Sequence, residues 1–119
     1  MFTTTERLIG VHGISQEDID RIKVYLRGAV YAWCNSDKKH KVFRARNFLG
    51  GENRDWNTTP VQILYDYYRR GGRRSHQYAH REAGKAAGRI LKIVLSEDVR
   101  IFEIRNGRVK GYKWIDNRP

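Results

Sequence analysis

Acidic residues, cysteine and long apolar runs are all scarce in this sequence. The chain has 13 Asp and Glu against 24 Lys and Arg, so its formal net charge is +11 at pH 7. This excess is larger than solubility requires, and a basic domain most often meets a polyanion, with nucleic acid ahead of an anionic membrane surface. A solvated basic surface without a specific partner is the plainer alternative.

The single cysteine, Cys34, excludes an internal disulfide and fits a cytosolic compartment. No apolar run approaches the ~18 residues of a membrane span, and the stretch MFTTTERLIGVHG lacks the pattern of a signal peptide. We predict one domain over residues 15–116, preceded by an N-terminal segment (1–14) and followed by a tail (117–119). We expect a cytoplasmic, nucleoid-associated protein with no membrane partner.

Motifs that carry chemistry are also missing. The Gly-Lys pair at positions 84 and 85 lacks the spacing of a phosphate-binding loop, and the acids are too scattered to hold the ions of a nuclease. His76 and His80 lie four apart and Cys34 and His40 six apart, but without a CxxC motif the two pairs would have to converge. We therefore predict no enzyme activity, no metal and no other cofactor.

Three segments have the periodicity and punctuation of long helices. The first follows Ser15, a candidate N-cap, and should end near Asn35. The second has Thr59 as the N-cap, Pro60 at the first position and Gln62 as the other half of a capping box, and glycines 71 and 72 stop it. The third runs from about residue 76 to 95.

Shorter elements lie between and after these helices. An extended piece (41–43), a helical turn (46–49) ended by the glycines at 50 and 51, and a polar loop (52–57) separate the first two helices, and Trp56 of that loop should plug into the core. The C-terminal stretch predicts a β-hairpin closed by Asn106 and Gly107, which are typical of a two-residue turn. That register would oppose Arg105 and Arg108 at the tip, where like charges favour a phosphate partner. The side facing the helices would carry Val99, Ile101, Tyr112 and Trp114.

The third predicted helix has one apolar and one basic side. At about 100° per residue, Arg81, Lys85, Arg89 and Lys92 fall opposite a side of alanines, Ile90 and Val94. Glycines 84 and 88 border this basic stripe, although each costs about 1 kcal/mol relative to alanine in a helix. They either leave room for another backbone on the stripe or allow tight helix packing, and the sequence leaves both interpretations open.

The order of these elements resembles the winged helix-turn-helix superfamily over about residues 15–115. NGRVKGYKWI looks like the closing wing strand of such domains, and YAWC in the first helix is similar to winged domains attached to phage and plasmid replication proteins. The resemblance implies an α+β fold, mostly α, with three long helices, a short helical turn and a C-terminal β-hairpin wing. An extra helix before the wing leaves two candidates for the groove, 59–70 and 76–95, and we favour the second for its outward basic side.

Resemblance and charge together predict a double-stranded DNA-binding protein that is a transcriptional regulator or an accessory factor of replication, recombination or a mobile element. The basic helix would enter the groove, and the wing tip would contact phosphates. The predicted DNA-binding residues lie on that helix, on the turn before it and at the hairpin tip: Arg69, Arg70, Arg73, Arg74, Gln77, Arg81, Lys85, Arg89, Lys92, Arg105, Arg108 and Lys110.

Two other hypotheses stay open. Tyr67 and its neighbouring tyrosines lie among arginines and would suit stacking with RNA or single strands. Winged helices also bind proteins, since a fold does not fix a function. An apolar strip of Val24, Gly28 and Tyr31 on the first helix would then contact a partner, including a second copy in a homodimer, unless the N-terminal segment covers it, which we favour.

Overall fold

The computed structural model describes residues 1–49, 56 and 58–117. Over that part the fold is α+β and mostly helical, as the sequence predicts. Four α-helices precede one antiparallel hairpin: α1 (Gln16–Cys34), α2 (Ala45–Leu49), α3 (Gln62–Arg69), α4 (His76–Glu97), β1 (Arg100–Arg105) and β2 (Gly111–Asn117). The glycines predicted to end the helical turn and most of the predicted polar loop lie outside the described residues.

Serine side chains start the two longest helices. The Ser15 hydroxyl accepts a hydrogen bond from the Asp18 amide at 3.2 Å, and Asn35 caps the other end of α1, as predicted. The Ser75 hydroxyl accepts from the Tyr78 amide at 3.1 Å and starts α4 in the same way. Each hydroxyl satisfies one amide that the first turn of a helix leaves unpaired.

The predicted capping box of α3 is wrong. The Thr59 hydroxyl donates to the Trp56 carbonyl at 3.0 Å, and the Gln62 side chain donates to Asp66 at 2.9 Å. Trp56 is buried, as predicted, so its carbonyl is fixed within reach of the hydroxyl. The helix ends at Arg69 as expected, and residues 70, 71 and 72 then adopt φ values of 51°, 64° and 91°. Glycine at the last two positions accepts these left-handed conformations without a steric cost.

The central element is α4, which packs against the other three helices. The side chains on its buried side are small where α3 lies, at Ala79 and Ala83. Toward the C-terminus they are larger, at Ile90, Leu91 and Leu95. The Tyr65 hydroxyl and the His76 Nδ1 atom, 2.8 Å apart, join α3 to the start of α4. A Lys23–Glu97 ion pair of 2.6 Å joins α1 to its end.

The hairpin register differs from the prediction. Arg105 pairs with Gly111, Ile104 with Tyr112 and Phe102 with Trp114, so the loop spans residues 106–110 instead of two residues. The register is shifted by three residues. Because three is an odd number and side chains alternate between the faces of a strand, the shift turns the opposite face of β1 toward the core. Phe102 is therefore buried, whereas Val99 is 65% exposed. Arg105 does not oppose Arg108, and its Nε lies 2.7 Å from the Glu103 carboxylate, so the argument from like charges at the tip fails.

Contacts from outside the hairpin explain this register. In the predicted extended piece, Phe43 exchanges two backbone hydrogen bonds of 2.8 Å with Tyr112. On the other strand, the Phe102 amide donates to the Met1 carbonyl at 2.8 Å, and Phe2 forms a parallel bridge with Phe102. The Phe43 ring lies 5.9 Å from the rings of both Phe102 and Tyr112. Burial of these rings outweighs the local preference of Asn-Gly for a tight turn.

The N-terminal segment does not cover the second strip of α1, contrary to our expectation. Val24 is 64% exposed, and a side chain added at Gly28 would meet nothing within 4 Å. The segment instead runs past the hairpin, which Phe2 joins, and along α4, where Lys92 donates to the Arg7 carbonyl at 3.0 Å. Phe2, Val11 and Ile14 pack against the core and hold it there.

We predict that Ser75→Ala lowers the free energy of unfolding by about 1 kcal/mol, because it leaves an amide at the start of α4 without its acceptor. Urea denaturation followed by circular dichroism measures the change. Thr3→Ala, at an exposed position outside the helices, is the control and should leave the midpoint unchanged. Equal midpoints for the two variants would contradict the capping role.

Candidate binding site

The predicted basic stripe of α4 is exposed over most of its length. Arg81, Lys85 and Arg89 face solvent, and the Glu82 carboxylate lies 3.8 Å from Arg81 and 3.7 Å from Lys85. Lys92 differs from the prediction, because its side chain is only 14% exposed and its Nζ lies 3.5 Å from the Glu6 carboxylate. The N-terminal segment therefore closes the C-terminal end of the stripe.

A cleft of about 570 Å³ lies beside this stripe. Its walls come from α4, from the N-terminal segment and from the loop between β1 and β2. Five of the predicted binding residues line it, and they come from two separate elements: Lys85, Arg89, Lys92, Arg108 and Lys110. The remaining lining comes from a cation and apolar groups that the prediction did not include: Arg7, Ile9, Ala45, Gly84, Gly88, Leu91, Val109 and Tyr112.

The two glycines of α4 form an open part of this lining. A Cβ atom added at Gly84 or Gly88 would meet nothing within 4 Å. Among the described residues, no neighbouring helix therefore requires glycine at either position, which argues against tight packing, one of the two interpretations that the sequence left open. The missing side chains leave room in the cleft.

Charge in the cleft is predominantly positive. Glu6 faces Lys92 and Lys110, and its pKa is held below the usual value, first by a hydrogen bond from Thr4 and then by these two lysines. Burial and the nearby Lys110 ammonium lower the pKa of Lys92. Burial, with a smaller effect of Glu6, raises the pKa of the Tyr112 hydroxyl to about 12, so this hydroxyl stays protonated at neutral pH.

The other predicted residues lie away from the cleft. Four arginines and Gln77 surround the turn between α3 and α4, and from His76 to Lys92 the helix axis covers about 24 Å at ~1.5 Å per residue. The Arg74 and Arg81 guanidinium carbons lie 5.1 and 5.9 Å from the centre of the Tyr78 ring. The residues at this turn, apart from half-buried Arg69, are exposed: Arg70, Arg73, Arg74 and Gln77.

Aromatic and histidine side chains near α4 have protein partners. The Tyr67 ring is 40% exposed, but its hydroxyl packs so closely on Gly13 that a Cβ there would lie 2.1 Å from the oxygen. His76 contacts Tyr65, and His80 stacks on Trp56 with ring centres 4.2 Å apart. In the described part of the chain, no three His, Cys, Asp or Glu side chains are grouped to hold a metal ion.

Comparison with known proteins gives no relative for this chain: no family model, curated protein or solved structure matches it. Among the described residues, no helix has both the length and the apolar character needed to cross a membrane. What the protein binds must therefore be inferred from the chemistry of its own surface.

The sequence prediction missed the contribution of the N-terminal segment. Arg7 and Ile9 line the cleft although they lie 76 or more positions before Lys85. Periodicity within the segment gives no sign of this contact, because the segment has no regular secondary structure beyond the bridge at Phe2. The contact arises only when Phe2 joins β1 and draws the following residues along α4.

We predict that Gly84→Ala and Gly88→Ala each raise the free energy of unfolding by up to about 1 kcal/mol, because alanine favours the helix and each Cβ enters open space. Gly111→Ala should do the reverse, because its Cβ would lie 2.6 Å from the Val42 side chain. Thermal and urea denaturation measure all three. A loss of stability in the first two variants would show that another segment occupies the cleft.

Proposed function

We propose that the protein binds nucleic acid, specifically double-stranded DNA, and performs no chemistry on it. The observation that carries the proposal is that Lys85 and Arg89 of α4 line the same cleft as Arg108 and Lys110 of the hairpin loop. Cations from two separate elements, gathered on one surface with few acids near them, suit a row of phosphates. Such a gathering opposes folding through like-charge repulsion unless a polyanion offsets it.

We further assign the chain to the winged helix-turn-helix class as part of this proposal. The order of α1 to α4 followed by the β1–β2 hairpin supports the assignment, with α4 as the groove-entering helix and the hairpin as the wing. The protein would then be a transcriptional regulator or an accessory factor of replication, recombination or a mobile element. A single buried thiol, Cys34, is compatible with the cytoplasm, and the nucleoid is the compartment we propose.

The length of α4 supports a docking arrangement. On the N-terminal half of the helix, the exposed side chains of Gln77, Arg81 and Lys85 would face the base edges. Arg73 and Arg74 precede the start of α4, and Arg108 and Lys110 line the cleft beside its later residues. They would contact phosphates on both sides of a major groove about 12 Å wide.

We predict that duplex affinity falls steeply with salt, with a log–log slope near about −5 for about six neutralised phosphates. The double variant Arg81→Ala/Lys85→Ala should weaken binding and reduce the magnitude of the slope, because it removes two cations that displace counterions in the groove. Fluorescence anisotropy with a labelled duplex across a salt series measures both quantities.

A matched control removes the same charge elsewhere. Lys39→Ala/Lys41→Ala deletes two exposed lysines of the loop after α1, which line neither the cleft nor α4. This variant should keep nearly the wild-type affinity and slope. If both double variants lose affinity equally, net charge alone drives binding and α4 has no special role.

A second copy of the chain is the partner we propose for the strip of Val24, Gly28 and Tyr31. An antiparallel pair of α1 helices centred on Val24 would set Asp20 of each copy beside the partner's Arg27. The charged groups of one copy would then match the opposite charges of the other. Gly28 would allow close approach of the two backbones. Two copies would also present two α4 helices to successive half-sites of a duplex.

We predict that Val24→Glu converts a dimer into a monomer, because two carboxylates would meet at the symmetry axis. Light scattering coupled to size-exclusion chromatography gives the mass. Val99→Glu, at a valine that is equally exposed but lies outside α1, should leave the dimer intact. A monomeric mass for the unaltered protein would contradict this interface and would not affect the DNA-binding proposal.

A further inference from the structure

We propose that the cleft beside α4 holds one unpaired nucleotide, so that the protein prefers a duplex with a single-stranded extension to a blunt duplex. This inference rests on the proposed function and names the part of the nucleic acid that the cleft receives. The exposed N-terminal half of α4 would contact the duplex, and the recessed C-terminal half would contact the extension.

The shape of the cleft supports a single nucleotide. Its volume of about 570 Å³ falls within the ~300–1,000 Å³ typical of pockets for small ligands. The N-terminal segment at Arg7 and Ile9 and the hairpin loop at Arg108 to Lys110 flank α4 there. We infer that a single strand, and not a stacked duplex, enters between these walls.

The chemistry of the lining matches the two parts of a nucleotide. Leu91, Val109 and the Tyr112 ring supply apolar surface, and Arg89 and Lys110 supply positive charge within the same cleft. The faces of paired bases are covered by their neighbours, so only an unpaired base can present a face to apolar and aromatic groups. The phosphate of the same nucleotide would meet the cations.

Crowding among the cations indicates where the phosphate lies. Lys92 and Lys110 are close enough for one ammonium to depress the pKa of the other, and Glu6 offsets them from one side. A phosphate beside this pair would neutralise the positive charge that Glu6 leaves uncompensated. Arg89 and Arg108, which line the same cleft, would bind its remaining oxygens.

The glycines of α4 explain how the strand reaches this place. Gly84 and Gly88 lower helix propensity and relieve no clash in the protein. Both line the cleft, so side chains there would occupy the space that a base or sugar needs. The same positions therefore offer a way to fill the cleft without disturbing the core.

The experiment compares one labelled duplex in three forms: blunt, with a short 3′ extension and with a short 5′ extension. Anisotropy titrations use the full chain and two variants, Gly88→Leu, which fills the cleft, and Ala32→Leu, which adds a leucine at an exposed position of α1 outside the cleft. We expect one extension to tighten wild-type binding about tenfold, the gain typical of one stacked base. Gly88→Leu should lose this gain, so that it binds the three duplexes with equal affinity, and Ala32→Leu should keep the wild-type preference for the extension.

Two results would overturn the inference: equal wild-type affinity for all three duplexes, and a gain that survives in Gly88→Leu. If Gly88→Leu loses its helical circular dichroism, Gly84→Leu serves in its place. Failure of the proposed function looks different, because the blunt duplex would then not bind at all.

Discussion

The backbone bridge between Phe43 and Tyr112 is the contact on which the arrangement of the basic cleft depends. Its two hydrogen bonds attach β2 to the segment between α1 and α2, and the ring of Phe43 buries those of Phe102 and Tyr112. Together these contacts fix the hairpin register and place its loop beside α4. Without the bridge, the loop cations would be tethered to the end of α4 by one strand alone, and the cleft would lose one of its walls.

The division of α4 into a buried and an exposed side explains how the fold carries so many cations. Alanines over its first half let α3 pack closely, and larger side chains over the second half fill the core beside α1. Because apolar packing against three helices holds α4 in place, its outer side can carry charge that the core does not require. The basic surface is thus an addition to the core.

Local patterns in the sequence were enough to predict the helices, the Ser15 cap and the burial of Trp56, because each depends on neighbours within a turn or on apolar periodicity. The same patterns failed where a distant group competed. The Trp56 carbonyl accepts the hydrogen bond of the Thr59 hydroxyl, which is therefore not available to cap α3. Phe43 fixes the register of a hairpin that begins more than fifty residues later. The basic stripe of α4, which forms part of the cleft, was predictable. The N-terminal segment that covers Lys92 was not, because a segment without periodicity carries no sign of where it packs.

Glu6 has a consequence for selectivity among anions. Its carboxylate lies 3.5 Å from the Lys92 ammonium at the closed end of the cleft, and its lowered pKa keeps it charged at neutral pH. Any incoming anion must compete with this resident carboxylate, which is tethered and therefore always present at high local concentration. A weakly charged or isolated anion would gain little binding free energy by displacing this carboxylate. A polymer that also contacts the exposed arginines of α4 would offset the free energy lost when the Glu6–Lys92 contact breaks. The N-terminal segment would then act as an internal competitor that favours long polyanions over the small anions of the cell.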